Sequence, residues 1–322
     1  MDRGKEHGMS GLERFEGAIL GAACGDALGA WTESMTPSAI KAQFGGRLAT
    51  FPDAPHPYLK GENVFHFTDD TQLSLCVAES LIEKGDVDIA DLADRFVTWS
   101  LSPDSARSPS LTCMRATRNL RDGVAPDQSG LPSTCGAAVA RLVPFGLFFM
   151  HDKDRCREAA IRASNITHRD PSSDAAAATV ALAVAHLAGG EDPDELVDFL
   201  LCHAAPYSDE FAQHLRYVNQ CIGLDDEAAF NCLGRGDSLL EVVPSSLYCF
   251  ACHTDDYREA IVTAVNRGGR ADSVASVVGA LSGCQLGISA IPVRWRNRLE
   301  KAETLKETAR RLYEAACQDG NG

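Results

Sequence analysis

Two stretches of the 322-residue chain carry glycine at every fourth position, and this spacing limits the folds that the chain can adopt. The first series is Gly17, Gly21, Gly25 and Gly29, and the second is Gly279, Gly283 and Gly287. On an α-helix, residues four apart lie on the same face, so each series forms a smooth strip that another backbone can approach closely. Each glycine costs a helix roughly 1 kcal/mol relative to alanine. We therefore expect both strips to pack closely against other helices, because such packing compensates for that cost.

The rest of the chain has the same helical character. Apolar residues and alanines recur at intervals of three and four, whereas strand-like alternation is scarce. Some of these stretches also have helix start signals, such as Ser172 and Ser173 before a run of alanines. Helices are predicted over residues 71–84, 88–101, 154–164, 173–188, 193–204, 257–266, 272–290 and 300–317. So many helices joined by short polar links predict an all-α fold.

Composition and charge exclude several classes of function. Hydrophobic residues make up 45% of the chain and charged residues 23%, which is typical of a soluble globular protein. The net charge is −15, so no nucleic-acid partner is expected, because an acidic surface repels phosphates. No stretch reaches the roughly 18 apolar residues that a membrane-spanning helix needs. No membrane association is therefore expected.

The cysteines indicate a reducing compartment. The chain has 12 of them, scattered without a repeating spacing, which favours buried thiols over a disulfide scaffold. The N-terminus lacks the apolar core of a secretory signal, so we expect a cytoplasmic location. One pattern competes, since Cys249-Phe-Ala-Cys252-His253 matches the attachment motif of c-type haem. Residues 242–253 otherwise have the pattern of an ordinary helix, which is the interpretation that we favour.

Two segments lack helical signals. Residues 37–67 contain adjacent glycines and several prolines, and residues 123–133 are rich in Gly, Pro, Asp and Ser. Long loops in compact domains are uncommon unless they are functional or disordered. Neither segment resembles a linker between domains. Residues 1–322 are therefore expected to form a single domain, with residues 1–10 as a flexible tail.

Four polar clusters could carry chemistry. The strongest is Thr68-Asp69-Asp70-Thr71, directly before a predicted helix. These residues could simply cap the helix, but adjacent carboxylates repel one another unless a cation lies between them. Oxygen ligands of this kind are preferred by Mg²⁺, Mn²⁺ and Ca²⁺. The other clusters are residues 25–33, 165–171 and 266–273. The simpler interpretation of the histidine in residues 165–171 is a structural role, and the simpler interpretation of Asp272 is a helix cap.

Together these segments resemble the ADP-ribosylglycohydrolase family. The stretch GAILGAACGDALGAWTE is similar to the first motif of the family, and FTDDTQLSL is similar to its Thr-Asp-Asp-Thr motif. STCGAAVARLVPFGL resembles the phosphate-loop helix, and NITHRDP resembles the Thr-His-x-x-Pro segment. AVNRGGRADSVASVVGALSGCQLGISAIP is similar to the C-terminal metal motif. The resemblance runs in order from about Gly17 to Trp295.

The resemblance implies a compact, all-α, mostly orthogonal multi-helix bundle that holds a dinuclear magnesium or manganese centre. It implies a hydrolase that cleaves the glycosidic bond between ADP-ribose and a modified acceptor, either a protein side chain or a small molecule, through an oxocarbenium-like state. A monomer is the default of the family.

The resemblance also assigns roles to individual residues. The implied metal ligands are Thr68, Asp69, Asp70, Asp272 and Ser273. The implied catalytic residues are Glu33, Asp69 and Asp70. The implied contacts with the substrate are Asp26, Ser133, Cys135, Gly136, Ala137, His168 and Arg270. Within that set, residues 133–137 would offer backbone N–H groups at a helix start to the diphosphate.

One position departs from the family pattern. Arg270 stands where the family has an aspartate that binds the second metal, and a guanidinium cannot ligate a cation. We expect Arg270 to disfavour the second ion and to pair with Asp69, Asp70, Asp272 or Glu33. Two hypotheses follow: a hydrolase with one ion or an altered two-cation site, and a binding or structural member of the family that does not turn over. The sequence leaves the acceptor open, and residues 37–67 are expected to influence its choice.

Overall fold

The computed structural model describes residues 9–54, 65–203 and 205–320. This part of the chain contains seventeen α-helices and no β-sheet, which confirms the predicted all-α fold. The helices are α1 Gly11–Gly29, α2 Pro37–Phe44, α3 Asp69–Lys84, α4 Ile89–Leu101, α5 Leu111–Arg121, α6 Pro126–Ser129, α7 Val143–Phe148, α8 Lys153–Asn165, α9 Pro171–Ala188, α10 Leu196–His203, α11 Asp209–Cys221, α12 Asp226–Leu233, α13 Leu239–Ala251, α14 Tyr257–Asn266, α15 Ala271–Leu286, α16 Val293–Arg298 and α17 Ala302–Asp319.

The centre of the fold is the pair of α1 and α15, which run antiparallel along their glycine strips. A methyl group added at Gly25 would lie 1.9 Å from the carbonyl oxygen of Ala275. A methyl group added at Gly283 would lie 2.0 Å from the carbonyl oxygen of Gly17. Both distances are far below van der Waals contact, so only glycine permits this approach. The close packing predicted for the two strips is confirmed.

Three helices form the interior of the protein. Almost every side chain of α1, α9 and α15 is buried, which is typical of helices that are apolar on all faces. By contrast, α4, α11 and α17 bury one face and turn a charged face to solvent. Helix α9 packs on α7 and α8, and α17 packs on α1 and α3.

Two predicted loops contain helices. Within residues 37–67, the hydroxyl of Thr36 accepts a hydrogen bond from the Ala39 N–H, and Pro37 begins α2. A proline costs little there because the first N–H groups of a helix have no partner within the helix. Within residues 123–133, Pro126 begins α6 in the same way. The loop predictions are wrong at these two places, and residues 55–64 lie outside the described part of the chain.

Two predicted boundaries also differ. The helix predicted over residues 272–290 ends at Leu286, because Gly287 adopts a left-handed φ of 77°. Of the predicted tail, residues 1–8 lie outside the described residues, and Ser10 is the N-cap of α1. Its backbone N–H donates to the Glu13 carboxylate at 2.8 Å, and its hydroxyl accepts from the Glu13 N–H, which together form a capping box.

All twelve cysteines lie in the described part of the chain and are free thiols. Cys249 is fully buried in α13, so its sulfur is not accessible as an attachment point for haem. The described helices include none with the length and apolar character needed to cross a bilayer.

Candidate active site

Two buried carboxylates stand at the N-terminus of α3. Asp69 and Asp70 occupy its first turn, and each is 2% exposed. The N-cap is Thr68, whose hydroxyl accepts a hydrogen bond from the Asp70 N–H at 3.4 Å. The capping role therefore belongs to the threonine. The two carboxylates are not needed as helix caps and are available for binding or catalysis.

Asp26 of α1 holds this N-terminus in place. Its carboxylate accepts the Thr68 hydroxyl at 2.7 Å and the Thr71 hydroxyl at 2.5 Å. The backbone N–H groups of Thr68 and Thr71 donate to the same carboxylate. Asp26 is fully buried, and both of its oxygens are occupied by α3. The carboxylate of Asp26 therefore positions α3, and the contact of Asp26 with the substrate stays a prediction.

The N-terminus of α15 meets that of α3. The Ser273 hydroxyl donates to Asp70 Oδ2 at 2.6 Å, and Asp272 is 1% exposed beside it. A methyl group added at Gly29 would lie 2.6 Å from the Cα of Asp272, so the end of the glycine strip sets this approach. Arg270 is the N-cap residue of α15, without a side-chain capping bond. The simpler interpretation of Asp272 as a helix cap is therefore wrong.

Arg270 connects Glu33 with the loop at Cys135. One guanidinium nitrogen donates to Glu33 Oε1 at 3.2 Å, and another lies 3.5 Å from Cys135 Sγ. On its other side, Glu33 accepts the Ser108 hydroxyl at 2.7 Å. Of the four carboxylates considered as partners of Arg270, Glu33 is the one that it contacts. Ser108, which has a left-handed φ of 55°, is absent from the sequence-based site, because no local pattern marks it.

The buried carboxylates repel one another. Burial, together with the charge of Asp26, raises the pKa of Asp70 to about 7. Burial and the charge of Asp70 raise the pKa of Asp69 well above its usual range, and burial with Glu33 does the same for Asp272. So much negative charge in a small volume favours a bound cation.

Arg270 supplies one positive charge to this cluster. Burial opposes its charge, but Asp272 and the other nearby acids raise its pKa further, so the guanidinium stays protonated. In return, the charge of Arg270 partly offsets the rise in the pKa values of Asp69, Asp70 and Asp272.

The donors of the cluster have the chemistry that a divalent cation needs. Asp69, Asp70 and Asp272 offer carboxylate oxygens. The Thr68 hydroxyl donates its proton to Asp26 and accepts from the Asp70 N–H, which leaves one of its lone pairs for a cation. In the described part of the chain, however, no three His, Cys, Asp or Glu side chains stand as a ready-made metal group. These oxygens have the chemistry of hard-cation ligands, and Arg270 places a positive charge beside Glu33.

The predicted phosphate loop lies next to Arg270. Its helix is a three-residue 3₁₀ turn, Gly136–Ala138, rather than a full α-helix. The Gly136 N–H donates to the Asp237 carbonyl oxygen at 2.7 Å, and the Cys135 N–H donates to the Ser133 hydroxyl at 3.3 Å. These two N–H groups are therefore engaged within the protein, contrary to the prediction that they are free for a diphosphate. The N–H of Ala137 remains a predicted donor.

His168 is buried and neutral. Burial, followed by the charges of Arg141 and Arg270, lowers its pKa to about 3. Its Nδ1 lies 2.8 Å from the Thr167 hydroxyl, and Arg141 donates to that hydroxyl oxygen. The Thr167 hydroxyl also lies 3.4 Å from the carbonyl oxygen of Ser164, so its proton has two acceptors, this oxygen and Nδ1. Among the described residues, the buried Nε2 of this ring has no hydrogen-bond partner, so a polar group of a ligand would satisfy it.

A cleft of about 290 Å³ opens beside Glu33 and Arg270. Its opposite wall is the segment Arg235-Gly236-Asp237, between α12 and α13. A methyl group added at Gly269, which has a φ of 60°, would lie 1.8 Å from the Arg235 carbonyl oxygen, so this glycine lets the two walls approach. The glycine-rich run around residue 236 is the sequence signal that could have revealed this wall.

The fold and the site together define a class of protein: an all-α protein in which the ends of α1, α3 and α15 gather four buried aspartates beside an arginine. The sequence profile of the family described as ADP-ribosylglycohydrolase matches residues 8–322. The chain belongs to this family, as its motifs predict.

Related proteins cover nearly the whole chain. An uncharacterized protein of Archaeoglobus fulgidus is 35% identical over 94% of this chain and 96% of its own length. The ADP-ribosyl-[dinitrogen reductase] glycohydrolase of Rhodospirillum rubrum is 28% identical, over 91% of this chain and 92% of its own. A solved structure titled ADP-ribosylglycohydrolase-related protein complex aligns with a TM-score of 0.74 and 26% identity, over 95% and 99% of the two chains. Family membership supports an ADP-ribosyl glycohydrolase activity.

Proposed function

We propose that the protein hydrolyses the glycosidic bond between the ribose of ADP-ribose and a modified acceptor. The observation that carries the proposal is a cluster of three buried aspartates near Glu33, which itself lines an open cleft. The aspartates are Asp69, Asp70 and Asp272. Water adds to the anomeric carbon, the bond to the acceptor breaks, and a proton passes to the acceptor. The transition state resembles an oxocarbenium ion, which nearby carboxylates stabilise.

Glu33 borders the cleft on the side of Arg270. Arg270 and Ser108 donate hydrogen bonds to the two carboxylate oxygens of Glu33. The carboxylate is therefore held in one orientation before the reaction begins. Asp26 and Ser273 act indirectly, by positioning the residues that would hold the ion. Asp26 orders Thr68, and Ser273 orders Asp70.

We propose Mg²⁺ or Mn²⁺ as the cofactor, with Thr68, Asp69, Asp70, Asp272 and Ser273 as the residues that would hold it. When bound, such an ion supplies a Lewis acid that orients ribose hydroxyls and lowers the pKa of a water. Because Arg270 already places a positive charge next to Glu33, we expect one ion rather than two.

We propose that His168 and residues 133–137 contact the ADP part of the substrate. The unpaired Nε2 of His168 would form a hydrogen bond with the ligand, and the ring stays neutral at physiological pH, since its pKa is about 3. Arg270, with one nitrogen next to Cys135, adds positive charge on the side where the diphosphate is expected.

The activity can be tested with peptides that carry ADP-ribose on arginine or on serine. We expect release of ADP-ribose in the presence of Mg²⁺ or Mn²⁺ and loss of release in Glu33→Gln. A metal chelator should abolish the activity, and readdition of the metal should restore it. If neither peptide is cleaved with either metal, the hydrolase proposal fails.

The number of ions can be tested by calorimetry with Mn²⁺. We expect about one ion for the natural sequence and about two for Arg270→Asp, because the substitution removes a fixed positive charge and adds a ligand. Equal stoichiometry for both proteins would contradict the role assigned to Arg270.

The second candidate function is binding of ADP-ribose without turnover. The observation in its favour is the ion pair between Arg270 and Glu33, which engages an oxygen of the implied catalytic carboxylate. This candidate predicts measurable affinity for free ADP-ribose together with no release from either modified peptide. A turnover that depends on Glu33 would exclude it.

A further inference from the structure

A second cavity adjoins the cleft. A groove of about 590 Å³ lies between α2, α12 and α14, and its lining includes Lys41, Arg47, Asp226, Glu227, Phe230 and Arg235. Arg235 also lines the cleft beside Glu33, so one side chain forms a wall of both spaces. The volume lies in the range of pockets that hold small molecules or short peptide segments. Neither the aspartate cluster nor the predicted phosphate loop contributes to this groove.

The positions of Glu33 and Cys135 indicate which part of the substrate would face the groove. They lie at different nitrogens of the Arg270 guanidinium, so the ADP part expected near Cys135 and the bond expected near Glu33 lie side by side. Helix α2 begins at Pro37, four residues beyond Glu33 in the chain, and carries Lys41 into the groove. The part of the substrate that lies beyond the scissile bond would therefore approach the groove.

Arg47 has carboxylate partners in the groove, whereas Arg235 and Lys41 have none within salt-bridge distance among the described residues. Arg47 lies 3.5 Å from Glu259 and 3.9 Å from Asp226. Arg235 donates to the Asn231 side chain at 2.6 Å, lies over the ring of Phe230 and interacts electrostatically with Glu227. Among the described residues, no carboxylate lies within salt-bridge distance of the Lys41 ammonium group.

Lys41 is exposed at the rim of the groove. In a protein with a net charge of −15, an unpaired cation next to the cleft creates a local attraction for acidic groups that most of the surface repels. The groove therefore complements a segment that carries a carboxylate.

We propose that this groove binds the acceptor polypeptide of the substrate, and that Lys41 selects an acidic residue next to the modified side chain. The proposal rests on the hydrolase function proposed above, and it names a polypeptide rather than a small molecule as the acceptor. Lys41 is thus a specificity residue, not a catalytic one.

The test uses two ADP-ribosylated peptides that differ in one residue beside the modified side chain, glutamate in one and lysine in the other. For the natural protein we expect a lower KM for the glutamate peptide. In Lys41→Glu, the KM for the glutamate peptide should rise about tenfold, the KM for the lysine peptide should fall, and kcat should stay the same. Lys306→Glu on α17 changes the net charge equally and lies outside the groove, so it should leave both values unchanged.

A binding measurement separates this proposal from the proposed function. Fluorescence anisotropy with the unmodified peptides should show the same preference and the same reversal in Lys41→Glu, even if no ADP-ribose is released. In that case the hydrolase proposal fails while the groove remains a peptide site. Unchanged selectivity in Lys41→Glu overturns the groove proposal, as does binding of neither peptide. An equal loss of affinity for free ADP-ribose would assign the groove to the nucleotide instead and would also overturn it.

Discussion

The two halves of the contact between α1 and α15 follow opposite principles. Along the middle, glycines bring the backbones so close together that each strip meets backbone carbonyl oxygens of the other helix, and no charged side chain is needed there. At one end, the same pair of helices gathers Asp26 and Asp272 with the aspartates of α3, whose charges oppose burial. Close packing along the middle therefore holds in place an arrangement that electrostatics alone would disperse. Within this one helix pair, the middle therefore supplies stability, and one end supplies the charged groups of the candidate site.

The largest expected effect comes from disrupting the middle. Gly283→Ala would place a methyl group 2.0 Å from the Gly17 carbonyl oxygen, which the backbone cannot accommodate without moving the helices. We expect the free energy of unfolding to fall by about 3 kcal/mol or more. Urea denaturation measures it, and Gly320→Ala, where the added methyl group would meet its nearest atom at 3.6 Å, is the control. A difference of less than about 1 kcal/mol between the two variants would contradict the role of the strip.

The end of the contact should respond in the opposite way. Asp70→Asn keeps the shape and the hydrogen bond from Ser273 but removes one negative charge from the cluster. We expect activity to fall about 100-fold or more, because a ligand of the proposed ion is weakened. In the metal-free protein, the free energy of unfolding should rise by about 1 kcal/mol, because repulsion is relieved.

The control for Asp70→Asn is Asp94→Asn on the exposed face of α4, which should change neither activity nor stability. A loss of stability in metal-free Asp70→Asn would mean that the aspartates are not under repulsion.

His168 provides a pH-dependent comparison with the aspartates. Its pKa is about 3 in the folded protein and 6.5 as the reference value, so the unfolded chain binds the proton more readily. The stabilisation is therefore complete above about pH 6.5 and is lost as the pH falls toward 3. Between pH 7 and pH 5 we expect this histidine to contribute a loss of about 1–2 kcal/mol.

Thermal or urea unfolding of His168→Gln should show a smaller loss of stability on acidification than the natural protein, whereas His151→Gln, at an exposed histidine, should not. Identical pH profiles for all three proteins would show that His168 is not buried in the neutral form. The aspartates contribute with the opposite sign, since raised pKa values make deprotonation destabilising as the pH rises.

The smallest effect is expected at Ser108, which holds Glu33 from outside the helix pair. Removal of its hydroxyl in Ser108→Ala should lower activity about three- to tenfold, since one of the bonds that fix Glu33 is lost. Ser108→Gly should lose the same activity but gain up to about 1 kcal/mol of stability relative to Ser108→Ala, because φ is 55° there. Full activity in both variants would show that the hydroxyl does not position Glu33.

The sequence could predict what local patterns carry. The glycine spacing predicts the contact between α1 and α15, and the motifs mark Asp69, Asp70 and Asp272 as one site although some two hundred residues separate them. The bond from Ser108 to Glu33 and the wall at Arg235–Asp237 could not be predicted, because they depend on how distant segments meet. Helix α2 was not predicted, because a proline can either begin or interrupt a helix. The pattern around Pro37 does not distinguish these two roles.

The antiparallel contact between α1 and α15 also governs how the protein can be made. Helix α1 ends at Gly29, and its partner does not begin until Ala271, so a ribosome must add about 240 residues before the pair can form. At about 5–20 residues per second, the apolar faces of α1 remain without their partner for about 12–48 seconds. Contacts between residues this far apart in sequence are slow to form. We therefore expect that α1 of a nascent chain needs protection from aggregation until α15 has emerged.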